Sequence, residues 1–201
     1  MDAERPWNHN IHHHRLIVDA LPTSCGRVLD VGCGEGVLAG ELADHADHVV
    51  GLDVDAPIVE VARRDSVAVN IDYVVGDLLE VDLEPGSFDA VVSVAMLHHV
   101  EAVPALERMR ELVRPGGVVA IVGLARSRYP ADSVHDLAGM VATRWHRLTK
   151  TYREVEAPIV WPPPQTFAEV RRDAARVLPG VRYRRHILWR YSLVWTKPDD
   201  G

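Results

Sequence analysis

Short apolar runs alternate with amphipathic segments along the first part of the chain. The runs are rich in β-branched residues, as buried strands are, and they occupy residues 27–31, 48–53, 71–75, 89–95 and 118–124. Apolar positions at helical spacing lie between them, over residues 37–46, 57–64 and 104–112. Strands that are apolar along their whole length and separated by helices are typical of a parallel sheet covered on both faces. The pattern therefore predicts a doubly wound α/β fold.

The alternation stops beyond the fifth predicted strand. No strand is predicted from 125 to 165, where the spacing indicates a helix over 133–149. An amphipathic helix follows over 167–178, and strands are predicted over 182–188 and 192–196. The two strands are too close in sequence for a parallel crossover, which needs a dozen or more residues. We therefore expect a closing antiparallel hairpin.

Length and composition limit the class of protein. A chain of 201 residues suits a single domain. Its parts are an N-terminal helical cap (1–24), a core (27–124), an inserted segment (125–165) and a final helix with the hairpin (166–201). The formal charge is −7, from 22 basic and 29 acidic residues, which opposes broad binding to nucleic-acid backbones. No apolar run approaches the roughly 20 residues that cross a bilayer. Two cysteines cannot build a disulfide framework, so the cytoplasm is the expected location, with neither nucleic acid nor membrane as a partner.

The sharpest local signal is a glycine-rich turn after the first predicted strand, Val28-Leu29-Asp30-Val31-Gly32-Cys33-Gly34-Glu35-Gly36. Closely spaced glycines at a helix start let a ligand approach the backbone. Asp53 ends the second strand, 17 residues beyond Gly36, where a carboxylate can accept hydrogen bonds from both hydroxyls of a ribose. Residues 34–39 also satisfy a dinucleotide pattern, so these features leave NAD and S-adenosylmethionine both open.

The third strand favours S-adenosylmethionine. It ends in Val75-Gly76-Asp77, which puts a second carboxylate on the same edge, within reach of an adenine amino group. The glycine turn contains no lysine or arginine for a phosphate. A ligand without phosphate and with cationic sulfonium and ammonium groups suits such an acidic site.

These motifs resemble those of the class I S-adenosylmethionine-dependent methyltransferases. The glycine turn is similar to the first motif of that family, and Asp53 and Asp77 fall where its ribose-binding and adenine-contacting acids lie. Residues 88–93 with Leu97-His98-His99-Val100 resemble its fourth-strand motif, and residues 112–117 its turn before strand five. The resemblance implies a Rossmann-like seven-stranded sheet, order 3-2-1-4-5-7-6, with strand 7 antiparallel. It also implies S-adenosylmethionine as cofactor and S-adenosylhomocysteine as product.

The resemblance further implies which residues hold the cofactor. Asp30, Gly32 and Gly34 would lie at its methionine end, Asp53 and Val54 at the ribose, Asp77 and Leu78 at the adenine, and Ser93 and Val94 beneath the reactive methyl group.

Residues of the acceptor side are candidates only. Either His98 or His99 caps a turn while the other packs, or an imidazole near the methyl group orients or deprotonates the acceptor; we favour His98 for that role. The histidine-rich stretch from Trp7 to His14 is expected to begin a helix across the pocket, the alternatives being a metal site and plain surface histidines. Candidate substrate residues are Trp7, His14, Tyr129, Trp145 and Trp161.

The sequence thus predicts an enzyme that transfers a methyl group to a small-molecule acceptor by in-line displacement, without a metal. One alternative is a nucleoside-binding protein of the same fold. An NAD-dependent oxidoreductase is another, although the Tyr-x-x-x-Lys pair that would support it is missing from the sequence. A final basic stretch contains Arg182, Arg184, Arg185 and Arg190; it is interpreted as a solvated strand edge, or else as the contact of an acidic substrate or partner.

Overall fold

A computed structural model describes residues 8–128, 161–186 and 188–199, together with Arg144. The strands of this part are β1 (Arg27–Val31), β2 (His48–Asp53), β3 (Ile71–Val75), β4 (Phe88–Val94), β5 (Val113–Leu124), β6 (Arg182–Arg185) and β7 (Arg190–Thr196). The helices are α1 (His14–Val18), α2 (Val37–Leu42), α3 (Ala56–Asp65), α4 (Ala102–Leu112) and α5 (Phe167–Val177). Short 3₁₀ turns cover Ile11–His13 and Leu97–His99.

In the described ranges, seven strands form one sheet in the order β3-β2-β1-β4-β5-β7-β6. The strands from β3 to β5 are parallel, and β7 runs antiparallel to both β5 and β6. This confirms the predicted fold class, strand order and closing hairpin.

The core lies on both faces of the sheet, because side chains of a strand alternate between its faces. Leu29 belongs to the apolar cluster that includes residues of α4 and α5. Its neighbour Val28 belongs to the opposite cluster, which includes residues of α1 and α2. Both side chains are fully buried, as the continuous apolar runs predict for a sheet with helices on both sides.

β5 begins five residues earlier than expected. The predicted turn at 114–117 forms a bulge within the strand: Phe88 pairs with Val113, and the next pair is Ala90 with Val118. Gly116 has a positive φ of 70°, a conformation that glycine adopts without strain. The bulge remains bonded to the end of the neighbouring strand β7, because the backbone N–H of Gly116 donates to Lys197 O at 2.9 Å.

Other boundaries differ by a few residues. α2 ends at Leu42, β6 ends at Arg185 and β7 begins at Arg190. In the hairpin between them, Leu188 and Trp189 have positive φ angles of 63° and 56°. Turn prediction relies on Gly, Asn and Asp at such positions, so this sequence gave no sign of where the turn lies. The helix expected over 133–149 lies outside the described residues, apart from Arg144.

Candidate active site

A cavity of about 480 Å³ opens at the carboxyl ends of β1 to β4, where ligands bind in open α/β sheets. Its walls come from the turn after β1, the ends of β2, β3 and β4, and the N-terminal cap. The lining residues that the following paragraphs use are Asn8, Asn10, Asp30, Gly32, Gly34, Asp53, Val54, Asp77, Leu78, Val94, Met96, His99 and His14.

The glycine turn keeps its backbone open to the cavity. Gly32 and Gly34 have positive φ angles of 74° and 52°, which other residues rarely adopt. A Cβ on Gly32 would lie 2.6 Å from Met96 Cγ, whereas a Cβ on Gly34 would meet nothing within 4 Å. Gly34 therefore presents bare backbone to open space, and Gly32 allows Met96 to pack closely against the turn.

Asp53 ties the glycine turn to the end of β2. Its Oδ2 accepts a hydrogen bond from the backbone N–H of Gly34 at 2.9 Å, and its Oδ1 accepts one from Asp55 N–H at 3.0 Å. A carboxylate can accept about four hydrogen bonds. Asp53 therefore retains the capacity to accept two more from a ligand in the cavity.

The end of β3 contributes a second carboxylate. Asp77 lies in the cavity wall, and its Oδ1 accepts a hydrogen bond from Leu79 N–H at 2.8 Å. Leu78 is buried at 6% exposure, whereas Val54, also in the wall, is exposed. The arrangement gives an acidic edge with apolar side chains beside it.

Asp30 lies deepest among the acidic groups. It is 1% exposed, and its Oδ2 accepts no hydrogen bond from the described residues. Burial, and then the negative field of Asp53, raises the pKa of Asp30 to about 7. A buried carboxylate with an unused acceptor disfavours its own charge until a cation or donor arrives.

The histidine pair is oriented opposite to our expectation. His99, not His98, lines the cavity, although we favoured His98 for the acceptor side. The two rings lie 4.0 Å apart between centroids. In the 3₁₀ turn, successive side chains point about 120° apart, so only one of the pair faces the cavity, and the sequence did not tell which.

The pKa values of both imidazoles are lowered. Burial lowers the pKa of His99, and the negative charge of Asp53 partly opposes this effect. The pKa of His98 is lowered to about 4 by burial, followed by the charges of His99 and Arg190. A neutral imidazole at the cavity wall can accept a proton.

Ser93 also differs from the expectation. Its side chain is fully buried, is absent from the cavity wall, and donates its Oγ–H to Val31 O at 2.8 Å. Ser93 thus links β4 to β1 beneath the site, and Val94 is the member of the pair that reaches the wall.

The substrate candidates divide into three groups. His14 lines the cavity, is 5% exposed, and has its Nδ1 3.3 Å from Glu41 Oε1 on α2. Trp161 is 62% exposed and is absent from the lining residues. Trp7, Tyr129 and Trp145 lie outside the described residues.

Two asparagines of the cap were missed by sequence reasoning. Asn8 Oδ1 accepts hydrogen bonds from the backbone N–H groups of Asn10 and Ile11, both at 2.8 Å. Asn10 Oδ1 accepts one from Arg190 Nη2 at 2.8 Å. Asn8 could have been found as a capping residue ahead of a helical turn. The contact of Asn10 joins residues 180 positions apart and had no local signal.

In the described part of the chain, no three His, Cys, Asp or Glu side chains come together as metal ligands. Independence from metals stays a prediction. No helix among the described residues is both long and apolar enough to span a bilayer.

Known proteins match this chain in sequence and in fold. Residues 28–117 match the family described as a methyltransferase domain. Over 196 residues the chain is 38% identical to an "uncharacterized methyltransferase" of Mycobacterium tuberculosis strain H37Rv, covering 97% of this chain and 99% of the relative. A ubiquinone biosynthesis O-methyltransferase of Xanthomonas campestris is 38% identical over 112 residues, or 54% of this chain and 46% of that protein.

A solved structure shares the fold. Phosphoethanolamine N-methyltransferase 2 of Haemonchus contortus, in complex with phosphomonomethylethanolamine and S-adenosylhomocysteine, has a TM-score of 0.65 at 17% identity, covering 96% of this chain and 53% of that one. The sequence relatives define the class: the chain belongs to the class I S-adenosylmethionine-dependent methyltransferases.

The residues of the cavity fit the cofactor of that family, S-adenosylmethionine. The unused Oδ2 of Asp30 and the open backbone of Gly34 suit the methionine end, which carries an ammonium group. The spare acceptor capacity of Asp53 suits the ribose hydroxyls, and Asp77 with Leu78 suits the adenine. When bound, the cofactor supplies an electrophilic methyl group on a sulfonium.

Proposed function

We propose that the protein methylates a small-molecule acceptor, which enters the cavity from the side of β4 and the cap. The observation that carries this proposal is one continuous cavity of about 480 Å³ that contains both the cofactor-side carboxylates and His99, Met96 and His14. This volume is in the range of small-molecule sites. The net charge of −7 further disfavours a nucleic-acid acceptor.

The relatives support a small acceptor without naming it. One matched protein is named for O-methylation in ubiquinone biosynthesis, and one structural neighbour contains phosphomonomethylethanolamine. The shared region with the former covers about half of this chain. We therefore propose the class of acceptor and leave its reacting atom to experiment.

The protein contributes mainly by positioning. Asp53, Asp77 and Asp30 hold the cofactor, and the wall beyond Val94 holds the acceptor in line with the methyl group. Fixing two reactants in this way removes much of the entropic barrier. His99, neutral near pH 7, takes the proton that the acceptor's reacting group loses as the new bond to the methyl group forms.

An acceptor screen tests the proposal. The protein is incubated with S-adenosylmethionine deuterated at its methyl group, a library of small molecules, and, in parallel, total RNA and whole-cell protein. Mass spectrometry then locates the label. We expect the label in one small molecule or a related group of them. Label found only in RNA or protein would overturn the proposal.

A further inference from the structure

A second polar cluster lies beside the cavity and has no part in the cofactor site. We call His13, His98, His186 and Arg190 the imidazole–guanidinium cluster. His13 comes from the cap, His98 from the turn after β4, and His186 and Arg190 from the β6–β7 hairpin. Arg190 pairs with Leu124 at the carboxyl end of β5. The cluster therefore lies at the sheet edge where an acceptor must approach.

Close contacts join the cluster to the cavity wall. The rings of His13 and His186 lie 5.5 Å apart between centroids, and the backbone N–H of His186 donates to the backbone carbonyl of Arg190 at 2.8 Å. Arg190 Nη2 donates to Asn10 Oδ1 at 2.8 Å, and Asn10 itself lines the cavity. The guanidinium is thus connected to the cavity wall through a single hydrogen bond.

Two imidazoles of the cluster have hydrogen-bonding capacity that the described chain does not use. His13 is 4% exposed, and its Nε2 is buried without a hydrogen-bond partner among the described residues. The same holds for Nδ1 of His98. Buried polar atoms are nearly always hydrogen-bonded in folded proteins, so two such atoms in one cluster indicate that a ligand supplies the partners.

The electrostatic environment specifies the charge of that ligand. Arg190 is 6% exposed and carries a permanent positive charge. Burial lowers the pKa of His13 to about 3, and the charged groups that act in the same direction are Arg190 and other histidines. Arg190 also lowers the pKa of His98. The charge of Arg190 therefore acts on both imidazoles.

We infer that the imidazole–guanidinium cluster binds an anionic group of the methyl acceptor, a carboxylate or a phosphate. The inference rests on the proposed function, because it assigns a substrate class to the same site. The anion accepts hydrogen bonds from the buried ring nitrogens of His13 and His98 and faces the charge of Arg190. The acceptor is held by this anion while its reacting atom points toward His99.

Anion binding is tested with simple probes and the product-bound protein. The protein is saturated with S-adenosylhomocysteine, and its imidazole resonances are followed by NMR during titration with benzoate, with inorganic phosphate and with neutral benzamide. His13→Gln and His98→Gln assign the two resonances. We expect benzoate or phosphate, but not benzamide, to shift both resonances and to raise the pKa of both imidazoles, because a nearby negative charge favours the protonated form. The stronger of the two anions identifies the acceptor group.

Matched variants show whether binding occurs at the cluster. Arg190→Gln and His13→Gln should each weaken anion binding by about tenfold or more, the effect of losing one charge-assisted hydrogen bond. Arg182→Gln, on the exposed face of β6, should change it less than twofold. Affinity for S-adenosylhomocysteine confirms that each variant is folded. Equal binding of benzamide, no binding of either anion, or unchanged anion affinity in both cluster variants would overturn the inference.

Paired acceptors separate this inference from the proposed function. Each candidate acid is assayed for methyl transfer beside its primary amide. Methylation of acids in clear preference to amides supports the anion site. Equal methylation of both overturns it and leaves the small-molecule function intact. Label transferred only to macromolecules, with anion binding at the cluster retained, overturns the proposed function alone.

Discussion

The cofactor side of the cavity and the proposed acceptor side next to it are built in opposite ways. The cofactor side is acidic, and each of its carboxylates lies at or just after the end of a strand, β1, β2 or β3. The acceptor side has imidazoles and a guanidinium from the cap, from the turn after β4 and from the β6–β7 hairpin. A site for a cationic ligand can thus follow directly from the order of the strands. The adjacent imidazole–guanidinium cluster instead depends on contacts between segments that are distant in the sequence.

The largest effect should come from His99 on the acceptor side. His99→Ala should lower the rate of methyl transfer by about 10²–10⁴-fold if the imidazole acts as general base. Its neighbour provides the matched control: His98→Ala should preserve most of the rate with a neutral acceptor. Single-turnover kinetics at saturating cofactor measures both. The opposite order of effects would restore His98 as the base.

The same residue fixes the pH dependence. The base must be neutral, and burial lowers the pKa of His99. The rate should therefore stay constant near pH 7 and fall only below the ordinary histidine value of about 6.5. This acidic limb should be missing in His99→Ala. A rate that still falls in the variant would assign the limb to another group.

Asp53 should have the next largest effect, confined to the cofactor side. Asp53→Asn weakens the charge-assisted hydrogen bonds to the ribose, worth about 1.5–3 kcal/mol each, so affinity for S-adenosylhomocysteine should fall at least tenfold. Asp72→Asn, an exposed carboxylate on β3, serves as the control. A loss of less than about threefold for Asp53→Asn would mean that this carboxylate does not hold the ribose.

Asp30 should reveal itself in the pH dependence of stability. The pKa of Asp30 in the folded protein, about 7, lies above the unfolded value near 3.9. The buried carboxyl group therefore costs no stability at low pH, where it is protonated in both states, and the folded protein loses stability as pH rises toward 7. Between pH 5 and 7 this loss is about 2 kcal/mol. Asp30→Asn should remove it. Urea unfolding of both proteins at the two pH values measures this loss. If the free energy of unfolding changed by the same amount between pH 5 and 7 in both proteins, the account of a buried carboxylate would be contradicted.

Ser93 should have the smallest effect. Ser93→Ala removes a buried hydrogen bond to Val31 O, which should lower the free energy of unfolding by about 1 kcal/mol, with little change in cofactor affinity. Ser87→Ala removes an exposed bond to Glu84 O and should cost less. If Ser93→Ala instead lowered the affinity for the cofactor strongly and left the free energy of unfolding unchanged, Ser93 would belong to the binding site.

The sequence predicted which glycines and carboxylates lie at this edge of the sheet, because each of these features is local. A buried strand has a continuous apolar run, and Asp53 and Asp77 follow such runs directly. Gly32 and Gly34 indicate the turn between β1 and α2. Strand order came from the family resemblance, and the sheet confirms it.

The acceptor side was predicted poorly for physical reasons. Whether His98 or His99 faces the cavity depends on the rotation of a single 3₁₀ turn, to which the hydrophobic pattern is insensitive. The hydrogen bond of Asn10 with Arg190 spans the chain, and its donor was interpreted as an edge arginine. Ser93 belongs to a strand motif of the cofactor side, but its hydroxyl donates a hydrogen bond to Val31 O within the sheet.

Calorimetric titration of S-adenosylhomocysteine tests the division between the two sides most directly. The account predicts that Asp53→Asn weakens binding at least tenfold, while Asp72→Asn, His99→Ala and Arg190→Gln bind within about threefold of the unaltered protein. A loss of affinity in His99→Ala or Arg190→Gln as large as that in Asp53→Asn would contradict it, because cofactor and acceptor would then share one set of residues.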